Sequence, residues 1–402
     1  MGYSARSKYP LVAATATLLQ GTLSLNAFAW DTPTYGDTSI AMGDTLAFGG
    51  DDLQYTTNLI GDWSFNAALS GLGAIQSNAT DNNPRNYGDI SNAQVVVSKQ
   101  KGTLQFFAIG GFYSIPDLST NYVRAATQTK NTWGALPIAI ATIAADQNWS
   151  LNIGNLFALG GAEGTFSYEN INIQRGLLWG QTNSVSRGVQ LNYVNDRWSS
   201  SVAWTDGAYS GKYNWVAFSA AYQTTARTAV TVVWNGSLSA NPTNTTGTPL
   251  LQNNSQITNL LFSYKGDSLG FTPYLQYSLV PDNPTIGING VSSTQGIGIL
   301  STYRITPLIN GQMPKRNITL PFRLEYINTQ GDSGTSTNNL LYGPNSAAWS
   351  ATLSPTWQQG PYFARVEASF VSALNYTPGT AFGVNGITRN QARGILEAGI
   401  LF

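Results

Sequence analysis

The chain has 402 residues, 20 Lys plus Arg balanced by 20 Asp plus Glu, and neither Cys nor His. Disulfides and thiolate metal sites are therefore excluded, and the usual general base and commonest metal ligand are missing. Charged residues make up 10% and aromatics 12%, against about 25% charged in an ordinary soluble domain. An apolar outside in lipid around a neutral-polar inside in water needs such a balance. Near-zero net charge, with no basic run and no Gly-rich phosphate loop, points to no nucleic-acid partner and no cofactor.

Arg6 and Lys8 precede an apolar run from Leu11 to Leu25, and Ala27-Phe28-Ala29 forms a small-x-small site before Trp30. This pattern predicts a secretory signal peptide over residues 1–29. The run contains Thr15, Thr17, Gln20 and Gly21 and falls short of the roughly 20 apolar residues of a spanning helix. Residues 30–57 are rich in Asp, Thr and Gly and read as a periplasmic or lumen-facing segment, with one short strand expected around Thr45 to Phe48. The spacing of Asp31, Asp37, Asp44, Asp51 and Asp52 matches no recognisable calcium loop.

From Asn58 a period-2 pattern begins. Leu59, Gly61, Trp63, Phe65, Ala67 and Leu69 alternate with Ile60, Asp62, Ser64, Asn66, Ala68 and Ser70, and a polar turn over Asn78 to Asn86 follows. Ala93, Val95 and Val97 mark the next candidate, and Lys99 to Gly102 turns into Leu104 to Tyr113, which is apolar on both parities. The charge-free run Asn131 to Ala145 is too short to cross a bilayer as a helix; packing on a barrel wall and a short helix in a loop both remain open. Beyond Gly188 the alternation resumes, through Trp198, Trp204, Phe218, Val232, Phe262, Leu275, Ile299, Phe322 and Val366, with short links such as Asn195-Asp196 and long polar loops such as Asn235 to Gln256. The last stretch, Gln391 to Phe402, puts Leu396, Ala398, Ile400 and Phe402 on one parity and Glu397 on the other.

These runs predict an all-β chain: a transmembrane antiparallel up-and-down barrel over residues 58–402, with about 16 strands (roughly 14–18). Fifteen strands can be placed, and a sixteenth belongs in the N-terminal arm or the long loop. Tyr193, Trp198, Trp204, Tyr222, Trp234, Tyr264, Tyr303, Tyr326, Trp357 and Tyr362 sit at run ends, as the aromatic girdles of such a barrel do. Arg304, Arg323, Glu325, Arg365 and Glu367 fall on the polar parity of late strands. Facing lipid, each would cost roughly 2–4 kcal/mol near the midplane, so they are expected to line the lumen.

Gly160 to Gly188 is the least strand-like region and the candidate constriction. Glycines with mixed charges between two strands can fold inward, so that Glu163, Glu169, Arg175 and Arg187 set a field at the narrowest point. Within it Glu163, Phe166, Asn170, Arg175-Gly176, Leu177-Leu178-Trp179 and Ser186-Arg187-Gly188 occur in order, followed by Trp204-Thr205-Asp206-Gly207. Over these residues the chain resembles outer-membrane β-barrel porins of the OmpL-like type, and the signal peptide and terminal Phe402 fit. The resemblance implies a pore in the outer membrane of a Gram-negative bacterium and leaves its solute open. It places lipid and lipopolysaccharide outside, small hydrophilic solutes inside, Phe402 as the assembly signal read by the barrel-assembly machinery, and a homotrimer among the assemblies open to it.

A diffusion channel is the leading expectation, with a solute-specific channel and a non-conducting structural or adhesive surface protein as alternatives. No catalytic residue is assigned, because no Asp or Glu pair stands out. A folded barrel resists detergent, so unheated protein should migrate differently from boiled protein on a gel. Identical migration would contradict the class.

Overall fold

The structure is a computed structural model that describes residues 45–48, 53–57, 61–81, 83–309, 314, 316–331 and 341–402. Residues 1–29 and most of 30–57 lie outside the described residues. Alternation of the kind seen in Phe65, Ala67 and Leu69 cannot fold a strand alone, because one face needs lipid or a core and both edges need partners. The chain meets both needs by closing on itself. Strands β2 (Gly61–Gln76), β3 (Asn86–Lys99), β4 (Leu104–Tyr113), β5 (Ile138–Ala144), β6 (Trp149–Phe157), β7 (Val185–Val194), β8 (Trp198–Thr205), β9 (Trp215–Thr225) and β10 (Thr228–Ser237) follow a short strand β1 (Leu53–Thr57). The second half comprises β11 (Gln256–Lys265), β12 (Leu269–Val280), β13 (Ser292–Arg304), β14 (Arg316–Gly331), β15 (Ala347–Leu353), β16 (Thr356–Gln359), β17 (Tyr362–Leu374) and β18 (Asn390–Leu401). Successive neighbours pair antiparallel, and β18 returns to β2 in register from Arg393 opposite Gln76 to Leu401 opposite Ala68.

β15 and β16 form one wall strand, since both pair with β14 and with β17. The break falls at Ser354-Pro355, where proline has no N–H to give to the ladder. β1 only extends the sheet beside the start of β2, so the wall is a closed barrel of 16 strands. The closing seam ends on a reciprocal pair, with Ala67 N donating to the Phe402 carbonyl at 2.7 Å and Phe402 N donating to the Ala67 carbonyl at 2.9 Å.

Side chains obey the period of two. Phe322, Leu324 and Tyr326 are exposed outward while Arg323 and Glu325 are buried inside, and Val366 and Leu396 face out while Arg365, Glu367 and Glu397 face in. Trp149 with Tyr193 (4.8 Å) and Trp198 with Tyr222 (4.7 Å) pair their rings beside short turns, where amphipathic aromatics meet the membrane–water boundary. Short links lie at one end of the barrel and long connections at the other, which makes the long end extracellular.

One expectation changes and two open points are settled. No strand forms at Thr45 to Phe48; there the backbone is unpaired by ladder bonds and Leu46 is buried, while Ala47 N donates to Gln358 Oε1 at 3.1 Å. The missing wall strand lies in the long uncharged run, where helix α1 (Ala125–Asn131) leads back to β5. β5 places Ile138 and Ile140 inward and Ile143 outward. The unorientable strand β4 faces Phe107, Ile109 and Tyr113 inward and Phe112 outward. Its two apolar faces have different partners, lipid outside and a folded segment of chain within.

Replacing Leu324 by Arg should destabilise the barrel by roughly 2–4 kcal/mol, measured by reversible urea unfolding from lipid vesicles. An unchanged midpoint would place that face out of the hydrocarbon.

Candidate functional site

The connection between β6 and β7 enters the barrel instead of leaving it. Phe166, Tyr168, Ile171, Ile173, Leu177 and Leu178 are apolar, crowded into a short stretch, and all buried. An extracellular loop could not hide them. Phe166 packs edge-on against Tyr113 at 5.3 Å, within a cluster that includes Phe107, Ile109 and Ile138 of β4 and β5. Leu177 and Leu178 pack with Val233, Leu261, Tyr274 and Leu300 from β10 to β13. The segment therefore reaches from one wall of the barrel to another.

Charges from a third part of the wall hold its backbone. Glu325 accepts from Leu177 N at 2.9 Å and Leu178 N at 3.2 Å, and Ser350 Oγ also donates to it at 2.8 Å. Glu367 accepts from Ile173 N at 2.6 Å, Gln174 Nε2 at 2.9 Å and Ser354 Oγ at 2.7 Å. Guanidiniums take the carbonyls. Arg365 donates to Asn170 O at 3.0 Å and Ser167 O at 3.1 Å, and it pairs with Glu397, which accepts from Ser167 Oγ at 2.7 Å. Arg323 donates to Gln174 O at 2.6 Å and pairs with Glu163, which accepts from Gly176 N at 2.8 Å. Arg393 adds bonds to Asp117 O at 2.6 Å and Gln174 Oε1 at 3.0 Å, tying in the β4–β5 connection.

A hydrogen bond to a charged group contributes about 1.5–3 kcal/mol, and these groups could not be left buried without partners. The arrangement satisfies backbone and charge together. Gly176 is needed for contact, since a Cβ there would lie 2.0 Å from Glu325 Oε1.

The four residues expected at the constriction have separate surroundings. Glu163 joins Arg323, and burial pushes its carboxyl up to about 7 while the Arg323 charge pulls the other way. Glu169 accepts from Phe166 N at 2.9 Å and closes a single turn over Ser167–Glu169. Arg175 is fully buried and donates to the Thr165 carbonyl and to Pro116 O at 3.4 Å; burial lowers its guanidinium to about 10, still charged at neutral pH. Arg187 stands apart on β7, bonded to Asp206 at 2.7 Å and lying 4.0 Å from the Tyr209 ring. Of the late-strand set, Arg323, Glu325, Arg365 and Glu367 grip the segment, whereas Arg304 donates to Gly266 O in a short turn at 2.5 Å.

Glu397, Arg393 and Gln174 complete the site without having been singled out in the sequence. The inward parity of Arg393 and Glu397 was readable; their partners, more than 200 positions away for Ser167 and Gln174, were not. Among the described residues no group of acidic side chains could hold a metal ion.

A closed barrel with a greasy exterior and charges turned inward onto an in-folded segment defines an outer-membrane porin. The chain belongs to the family described as "Putative beta-barrel porin-2, OmpL-like", which it matches over residues 60–402. No curated protein matches it. Among solved structures, an anion-selective porin from Comamonas acidovorans is similar at 9% identity, with a TM-score of 0.55 over 85% of this chain and 99% of that one. The outer-membrane channel DcaP of Acinetobacter baumannii shares 13% identity, with a TM-score of 0.54 over 87% and 99%. OmpT of Vibrio cholerae shares 12%, with a TM-score of 0.52 over 86% and 99%. At these identities the likeness is one of fold.

Substituting Gly176 by Ala should dislodge the segment from Glu325 while leaving the barrel heat-modifiable on gels. The readout is protease sensitivity of residues 160–180 in reconstituted vesicles; protection equal to the native chain would contradict the fit.

Proposed function

We propose that the segment between β6 and β7 sets the narrowest cross-section of the porin, through which small hydrophilic solutes and ions diffuse passively. One observation carries this reading: wall carboxylates on β14 and β17 accept from successive backbone N–H groups of the segment, Leu177 and Leu178 on Glu325, Ile173 and Gln174 on Glu367. A chain pinned in this way cannot swing out with thermal motion, so it acts as fixed architecture. Glu163, Glu169 and Arg175 then belong to the constriction itself, and Arg187 to its extracellular mouth. The packing of the segment onto several walls favours a narrow passage over a wide general one.

Transport of this kind requires no chemistry. The buried carboxylates Glu163, Glu325, Glu367 and Glu397 are each occupied by guanidinium or N–H donors, which supports a channel without enzymatic activity. Export through cleavage after Ala29, recognition of Phe402 by the barrel-assembly machinery, and contact with lipopolysaccharide around the girdle complete the proposal. A homotrimer is favoured by the trimer form of OmpT from Vibrio cholerae, a barrel similar in fold with a TM-score of 0.50.

Loosening the pins tests the reading. Replacing Glu325 and Glu367 together by Ala should raise single-channel conductance roughly twofold or more and add open-state flicker, as a widened constriction does. Unchanged conductance in planar bilayers would remove the segment from the transport path.

A further inference from the structure

An apolar patch lies where a water-filled barrel should be polar. Ala68 on β2, Val96 on β3, Phe107 on β4, Phe363 on β17 and Leu401 on β18 are all buried inside the wall. They sit toward the periplasmic end: Phe363 follows the short turn after β16, and Leu401 stands opposite Ala68 at the end of the closing seam. In an open lumen water would wet these side chains, at a cost that grows with the apolar area exposed. Phe166 and Tyr168 of the β6–β7 connection cover part of this patch, and Leu46 and Phe48 join the same cluster.

Leu46, Ala47 and Phe48 reach this place ahead of the first strand. Gln358 on β16 is buried and holds Ala47 by both backbone groups. Ala47 N donates to Gln358 Oε1 at 3.1 Å, and Gln358 Nε2 donates to the Ala47 carbonyl. One side-chain amide, donor and acceptor together, thus stands in for the ladder bonds that this stretch lacks. On either side of that hold, Leu46 is buried and Phe48 meets the Tyr168 ring edge-on at 5.7 Å, with Tyr168 stacked on Phe166 at 5.9 Å. By Leu53 the chain is at the rim, where β1 sets Leu53 opposite Phe65, just past the pairing of Ala67 with Phe402. The link from Phe48 to Leu53 spans at most about 18 Å, so the stretch is tethered at the periplasmic mouth.

We infer that Leu46–Phe48 is a luminal stop, seated inside the barrel from the periplasmic end, and that it restricts the passage together with the β6–β7 segment. The contact of Phe48 with Tyr168 joins the two restrictions, one descending from the extracellular end and one rising from the periplasmic end. Wall carboxylates and guanidiniums pin the segment, whereas a neutral amide and apolar contacts hold the stop. Bonds to charged groups are the stronger kind, so the stop is released at lower cost than the segment. This role rests on the channel reading and adds to it a restriction from the other end.

The full-length barrel supplies two readouts. Leu46→Cys introduces a single thiol into a chain that has none. In the folded, detergent-solubilised barrel that thiol should react with a bulky maleimide about tenfold more slowly than the same thiol combined with Phe48→Ser and Gln358→Ala, as seating requires. Leu46→Ser with Phe48→Ser, confirmed as folded by heat-modifiable mobility, should raise single-channel conductance roughly twofold or more over the native chain, as should deletion of residues 30–48 behind the signal peptide. Equal thiol reactivity in the two chains shows that the stretch is not seated and overturns the inference. A protected thiol with native conductance in the folded double-serine or deletion chain also overturns it, because the seated stretch then stands clear of the path while the channel reading holds. Folded native, double-serine and deletion chains that all pass no ions overturn both.

Discussion

A charge inside a membrane barrel has two tolerable places, water or a partner, and lipid is neither. That constraint turns Arg323, Glu325, Arg365, Glu367 and Glu397 inward on β14, β17 and β18. Once inward and crowded, they need counter-charges and hydrogen-bond partners, and the backbone between β6 and β7 supplies the second. The fold of the segment thus follows from the same rule that orients the strands. Its apolar side chains answer the inward-facing Phe107, Val233 and Leu261, which an empty aqueous lumen would leave wetted.

The division of labour has an energetic logic. Removing one member of a buried charge pair costs about 3–5 kcal/mol because the remaining charge is uncompensated. Arg323 stands between Glu163 and Glu325, and Arg365 pairs with Glu397, so these five charges are matched locally. On this wall charge serves architecture.

The alternating runs, the terminal Phe402 and the inward parity of the late-strand charges were legible because period two is written locally. Less legible was whatever depends on a distant partner. β4 looked ambiguous since its inner face meets Phe166 and not water. β5 was obscured by Pro137 and by alanines that give little contrast between faces. The segment itself was visible as a glycine-rich break with mixed charge, yet the charges expected to act together were dispersed: Arg187 turned to Asp206 and Tyr209, while Glu397 and Arg393, outside the candidate set, joined the grip. Strand parity reveals which way a side chain points, and only the folded chain reveals what waits there.

The most direct measurement exploits the lack of native cysteine. Asn172 Nδ2 on the segment lies 2.7 Å from Ser354 Oγ at the break in the wall strand, so cysteines at the two positions fall within reach of a short bifunctional thiol crosslinker. The double variant Asn172→Cys with Ser354→Cys, treated with such a crosslinker in native membranes, should gain one intramolecular bridge seen by intact mass. Two free thiols that both react with a membrane-impermeant maleimide would show that the segment does not lie against that wall.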